Sequence, residues 1–164
     1  MIVVSDTSPI SSLYLTGRLH LLQQLYGRVI IPEAVYGELL QLEKSGKDIS
    51  FLSESTWIVV EKIKSPEKLS FLLDKIDAGE AEAIILAKEL NADWVLIDEA
   101  KGRKLAQLEK LPTIGLLGVL LAAKAKGFIL VVKEVMDELK LKAKFRIHDD
   151  VYREVLLLAN EQIE

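Results

Sequence analysis

Four acids stand where a fold could use them for chemistry rather than for solvation: Asp6, Glu38, Glu80 and Asp98. Asp6 closes the run Met1-Ile2-Val3-Val4-Ser5, and Asp98 closes a second run of the same design, Trp94-Val95-Leu96-Ile97. A continuous apolar run suits a strand covered on both faces inside a parallel sheet. A carboxylate at the carboxyl end of such a strand lies where open α/β sheets put their active sites. Alone, Asp6, Thr7 or Ser8 would read as the cap of the next helix, with Pro9 in its first turn. The repeat of the design at Asp98 favours chemistry.

Glu38 and Glu80 belong to helices. Pro32 opens a helix expected over Glu33 to Glu43, in which Glu38 falls between Val35 at i−3 and Leu42 at i+4, on or beside the face that should be buried. A buried carboxylate needs a partner. An alanine-rich helix is expected from Asp77 to Leu90, with Asp77 as its cap; Glu80 leads the face carrying Ile84 and Ala87. Glu82 and Glu89 share a separate stripe, expected to be solvated. Four carboxylates in one hollow repel one another, and a divalent cation relieves the repulsion. The chain has no cysteine and only two histidines, His20 and His148, so a metal here would be held mainly by oxygen, as Mg²⁺ or Mn²⁺ is. Thr7 and Ser8 would hydrogen-bond the acids or a bound water. Lys101, Arg103 and Lys104, on a helix expected over Glu99 to Lys110, either steer substrate phosphates or form an ordinary solvated face with Glu99 and Arg103 paired.

The remaining elements alternate strand with helix. Two helices are expected between Ile10 and Tyr26, divided near Thr16-Gly17, and strands at Val29–Ile31, Trp57–Val60 and Pro112–Ile114. Further helices are expected from Pro66 to about Asp77, from Leu116 to Lys126, and in the tail over Val131 to Leu141 and Asp149 to Asn160. This order implies an α/β fold with a mostly parallel sheet, in which neighbouring first and fourth strands would set Asp6 beside Asp98. The 164 residues suit one domain, 1–164, with a helical C-terminal extension from about residue 131. A net charge of −4 argues against a generally basic nucleic-acid surface, though not against a local patch. No apolar run reaches transmembrane length and no signal-peptide pattern is visible, so no membrane association and a cytoplasmic location are expected. Gly115-Leu116-Leu117-Gly118 lacks the ending of a phosphate loop, and no Gly-x-Ser-x-Gly elbow occurs.

The ordered set Asp6-Thr7-Ser8-Pro9, Ile31-Pro32-Glu33-Ala34-Val35 with Glu38, Asp77-x-Gly79-Glu80, Ile97-Asp98-Glu99 with Gly102-Arg103, and Gly115 to Leu120 resembles PIN-domain ribonucleases, particularly their small prokaryotic branch. The resemblance runs to about Arg146-Ile147. It implies a three-layer Rossmann-like fold with about five parallel strands, and metal-dependent cleavage of single-stranded RNA by a metal-activated water. Asp6, Asp98 and Glu80 would be metal ligands, Glu38 would complete the catalytic set, and Thr7, Ser8 and Glu99 would support it. It further implies a homodimer and, in many relatives, a toxin neutralised by a small antitoxin protein. Two positions depart from the pattern: Glu80, where many PIN domains have Asp, and Glu99, where close relatives often have Asp. A non-catalytic RNA-binding or regulatory module on the same fold is the second expectation. A phosphoryl-transfer domain of receiver or phosphatase type is the third, weakened by the lack of a well-placed lysine after the last strand.

Overall fold

A computed structural model of the chain describes residues 1–162. Five parallel strands, β1 (Val3–Ser5), β2 (Val29–Pro32), β3 (Ile58–Glu61), β4 (Trp94–Leu96) and β5 (Thr113–Ile114), form one sheet in the order β3-β2-β1-β4-β5. The order reverses between β1 and β4, which pair in register, Ser5 opposite Leu96. The ends of these two strands therefore lie side by side, and with them Asp6 and Asp98. The Asp6 N–H donates to the Leu96 carbonyl at 2.9 Å, extending the pairing by one residue.

Alternating side chains of the central strands feed two separate cores, as the two-residue period of a strand requires. Val3, Val29, Ile31 and Leu96 face one layer; Val4, Ile30, Val95 and Ile97 face the other. The first layer is built from α1 (Thr7–Leu15), α2 (His20–Tyr26), α8 (Leu116–Ala125), α9 (Val132–Lys142) and α10 (Asp149–Leu158). The second contains α5 (Leu69–Leu73), α6 (Ala78–Leu90) and α7 (Ala100–Leu108). Helix α3 (Glu33–Leu40) packs against both α1 and α6, bridging the layers at the carboxyl edge of the sheet. A short α4 (Ser50–Glu54) leads into β3, and 3-10 turns precede α4 and α5.

The expected strands and the two tail helices are present, but two helices are shorter than expected. The one from Glu33 gives way at Gln41 to a 3-10 turn, and the one from Pro66 is a 3-10 turn followed by α5, which ends at Leu73. An expectation of burial also fails. Glu82 is half-buried rather than solvated, because its Oε1 accepts the Ala34 N–H at 3.1 Å in the first turn of α3. The docking of α3 on α6 turns that stripe inward, which the helical period of α6 alone does not reveal. Glu89 likewise accepts the Lys64 N–H, at 2.9 and 3.0 Å to its two oxygens.

Candidate metal centre

Asp6 occupies the N-cap position of α1 in extended conformation, yet its side chain makes no capping bond and turns into the carboxyl edge of the sheet. It is only 5% exposed. Glu38 descends from α3, and the Thr7 hydroxyl donates to its Oε1 at 3.0 Å. Asp77 caps α6, accepting the Glu80 N–H at 2.9 Å. One carboxylate oxygen from each of Asp6, Glu38 and Asp77 lies within 4.8 Å of the other two. These three form the tightest acidic trio described. The sequence points instead to Asp6, Asp98 and Glu80 as ligands, with Asp77 only a cap. Asp77, exposed, caps α6 and also lies against Asp6 and Glu38, a proximity that the spacing Asp77-x-x-Glu80 does not betray.

Glu80 and Asp98 border the trio. Glu80 is 5% exposed and rests its Oε2 over Gly102, where a Cβ would overlap it. Asp98 Oδ1 accepts the Leu116 N–H at 2.6 Å at the start of α8, and the Arg103 guanidinium donates to the Asp98 carbonyl. Three buried oxygens find no hydrogen-bond partner among the described residues: Asp6 Oδ1, Glu80 Oε2 and Asp98 Oδ2. Buried carboxylate oxygens are ordinarily satisfied. One such orphan within the acidic trio and two at its margin fit a cation, and an all-oxygen donor set fits a hard one.

The charge state carries the same message. Burial, reinforced by Asp77, Glu38 and Asp98, pushes the Asp6 carboxyl up to about 7, and the Thr7 N–H offsets this only in part. Burial, then Asp77, Asp6 and Glu99, pushes Glu80 up to about 8. Burial and Asp77 also raise Glu38, against the pull of the Thr7 hydroxyl. Asp98 is raised by burial despite the Leu116 N–H, the nearby Ser8 hydroxyl and Arg103. Without a cation the cluster holds protons near neutrality.

Of the expected phosphate-steering residues, Arg103 stands apart from Lys101 and Lys104. Arg103 is half-buried beside Asp98. Lys101 borders a recess with Asp77, Glu80 and Glu99, and shares a second recess with Lys104, Asp74, Lys75 and Leu108. Glu99 is exposed at the N-cap of α7 and acts on Glu80 and Asp98 through its charge.

A parallel α/β sandwich with carboxylates gathered at its switch point is an α/β domain built to hold its chemistry at the carboxyl edge of the sheet. A family model described as a PIN domain matches residues 2–161, and the chain belongs to that family. Among solved structures it is similar to a PilT N-terminus domain protein, SSO1118, from the hyperthermophilic archaeon Sulfolobus solfataricus P2, with 20% identity, TM-score 0.55, and coverage of 75% of this chain and 93% of that one. That likeness concerns the fold. Among curated proteins none matches the sequence. No helix among the described residues is long and apolar enough to cross a membrane.

Proposed function

We propose that this PIN domain is a metal-dependent endoribonuclease acting on single-stranded RNA. The observation that carries it is the meeting of Asp6, Glu38 and Asp77 within 4.8 Å, bordered by the unpartnered oxygens of Glu80 and Asp98. Asp6, Glu38 and Asp77 would hold Mg²⁺ or Mn²⁺, with Glu80 and Asp98 at its margin. A bound divalent ion supplies an acidified water and neutralises charge on a phosphate.

The chain's own residues do the rest. Thr7 fixes the Glu38 carboxylate; the α8 N-terminus and Arg103 fix Asp98. Arg103, beside Asp98, meets the substrate phosphate, while Asp6 and Glu80 give up their protons as the cation binds. In-line attack of water on phosphorus would leave a 5′-phosphate and a 3′-hydroxyl. Toxin action, a small antitoxin partner, a homodimer and a cytoplasmic setting belong to the same proposal and rest on the family alone.

The test is cleavage of an unstructured oligoribonucleotide with Mn²⁺, Mg²⁺ or EDTA, by the native chain and by Asp6→Asn. Cleavage by the native chain that needs the metal and is lost in Asp6→Asn is expected. Full cleavage by Asp6→Asn refutes the assignment, and binding without cleavage under every metal would leave a non-catalytic RNA-binding module. Toxicity is read separately, as growth arrest on induction that Asp6→Asn relieves.

A further inference from the structure

Between α9 and α10 the chain crosses the molecule as a six-residue strap, residues 143–148, outside any helix or strand. Its exposure alternates. Ala143, Phe145 and Ile147 are half-buried and packed on the first-layer core, whereas Lys144, Arg146 and His148 are exposed. The apolar members pin the strap down, so its outward members stand on a fixed base.

The whole strap lines a groove of about 770 Å³, together with Asp98, Glu99, Arg103 and Gly115. The groove thus reaches Asp98 and Glu99, at the margin of the acidic trio. A Cβ on Gly115 would stand 3.3 Å from both the Arg103 Nη1 and the Asp98 Oδ1, so the glycine keeps this junction clear. Neither Lys144 nor Arg146 is paired with an acid among the described residues. In a chain of net charge −4, this is a local concentration of uncommitted cations. The acids Asp149 and Asp150 open α10 and do not line the groove.

We propose that this strap is the second wall of the nucleic-acid channel, and that Lys144 and Arg146 grip the sugar-phosphate backbone of a single strand on the β4–β5 side of the acids. The assignment rests on the nuclease reading above. A polyanion lying across a carboxylate cluster is repelled unless cations flank it, and on the Asp98 side Arg103 provides one wall. Arg146 adds a planar fork suited to phosphate, and Lys144 a point charge. Such contacts hold the strand without reading its sequence.

The test is the affinity of a fluorescent single-stranded oligoribonucleotide in EDTA, followed by anisotropy across a KCl series. Each phosphate contact to a single strand contributes a slope of roughly 0.7 in log K against log salt. The double variant Lys144→Ala/Arg146→Ala should therefore lower the slope by about 1.4. Lys126→Ala should leave it unchanged, because Lys126 caps the far end of α8, away from Asp98. Arg146→Gln, milder on folding, should lower it by about 0.7, with melting curves showing each variant folded. An unchanged slope in the folded double variant overturns the strap assignment, while metal-dependent cleavage by the native chain would still stand. A native chain that neither binds nor cleaves overturns both. If the oligonucleotide ignores the substitutions but poly-glutamate binding collapses, the groove seats an acidic protein segment and the assignment is likewise overturned.

Discussion

Asp6 and Glu80 are the two acids that buffer the centre, and their protons decide how it behaves without metal. Each folded carboxyl titrates far above its ordinary value, about 7 against 3.8 for Asp6 and about 8 against 4.5 for Glu80. Between those values the folded chain holds protons that the unfolded chain has released. Stability linked to these groups is therefore full below pH 4, lost as pH rises, and exhausted by about pH 8. Thermal melting in EDTA should show a lower midpoint at pH 8 than at pH 5. Asp6→Asn, which replaces the acid by a neutral isostere, should flatten that decline while cutting cleavage by roughly a hundredfold or more. A midpoint that rises from pH 5 to pH 8 in the metal-free native chain would contradict the buried, protonated acids.

At the scale of elements, glycines set how closely the helices bring their acids together. Gly79 in the first turn of α6 faces Glu38 on α3, and a Cβ there would overlap the Glu38 carboxylate. Gly79→Ala should displace that flexible carboxylate and lower cleavage roughly tenfold, with a melting change under about 1 kcal/mol because alanine suits a helix. Glu82 does the opposite work, holding the α3 N-terminus through the Ala34 N–H. Glu82→Ala should cost roughly 1 kcal/mol of stability, as loss of a cap does. The two substitutions separate positioning from folding, and kinetics beside melting curves tell them apart. They also mark where sequence pattern stops being informative. Asp6 and Asp98 were legible because apolar strand runs announce their own ends, and Glu38 and Glu80 because helical period shows which face turns inward. Asp77 was not, since a capping aspartate looks the same whether or not its other oxygen has a second use. Glu82 was misjudged, because only the meeting of α3 and α6 buries it. The strap was missed because its alternation lies between helices, where no repeating element draws attention to it.

For the molecule as a whole, the reversal of strand order between the parallel neighbours β1 and β4 puts acids from four distant segments at one edge, and close packing on both faces keeps them there. Repulsion among them is a standing cost of the fold that a bound cation would relieve. Binding to the folded chain alone stabilises it by roughly 2.7 kcal/mol at a hundredfold excess over the dissociation constant. For a chain of this size that corresponds to a rise in melting temperature of about 5–10 °C. Mn²⁺ at pH 8 should produce such a rise. At pH 5 the same Mn²⁺ should produce much less, because Asp6 and Glu80 then hold protons that the cation must displace. Asp6→Asn and Asp77→Asn should each shrink the rise, whereas Lys126→Ala, at the far end of α8, should preserve it. Asp77→Asn is the decisive member of the set, because an asparagine still caps α6 through its side-chain oxygen. If Asp77→Asn keeps the full Mn²⁺ response, Asp77 is a cap alone and the cation is held by the other acids.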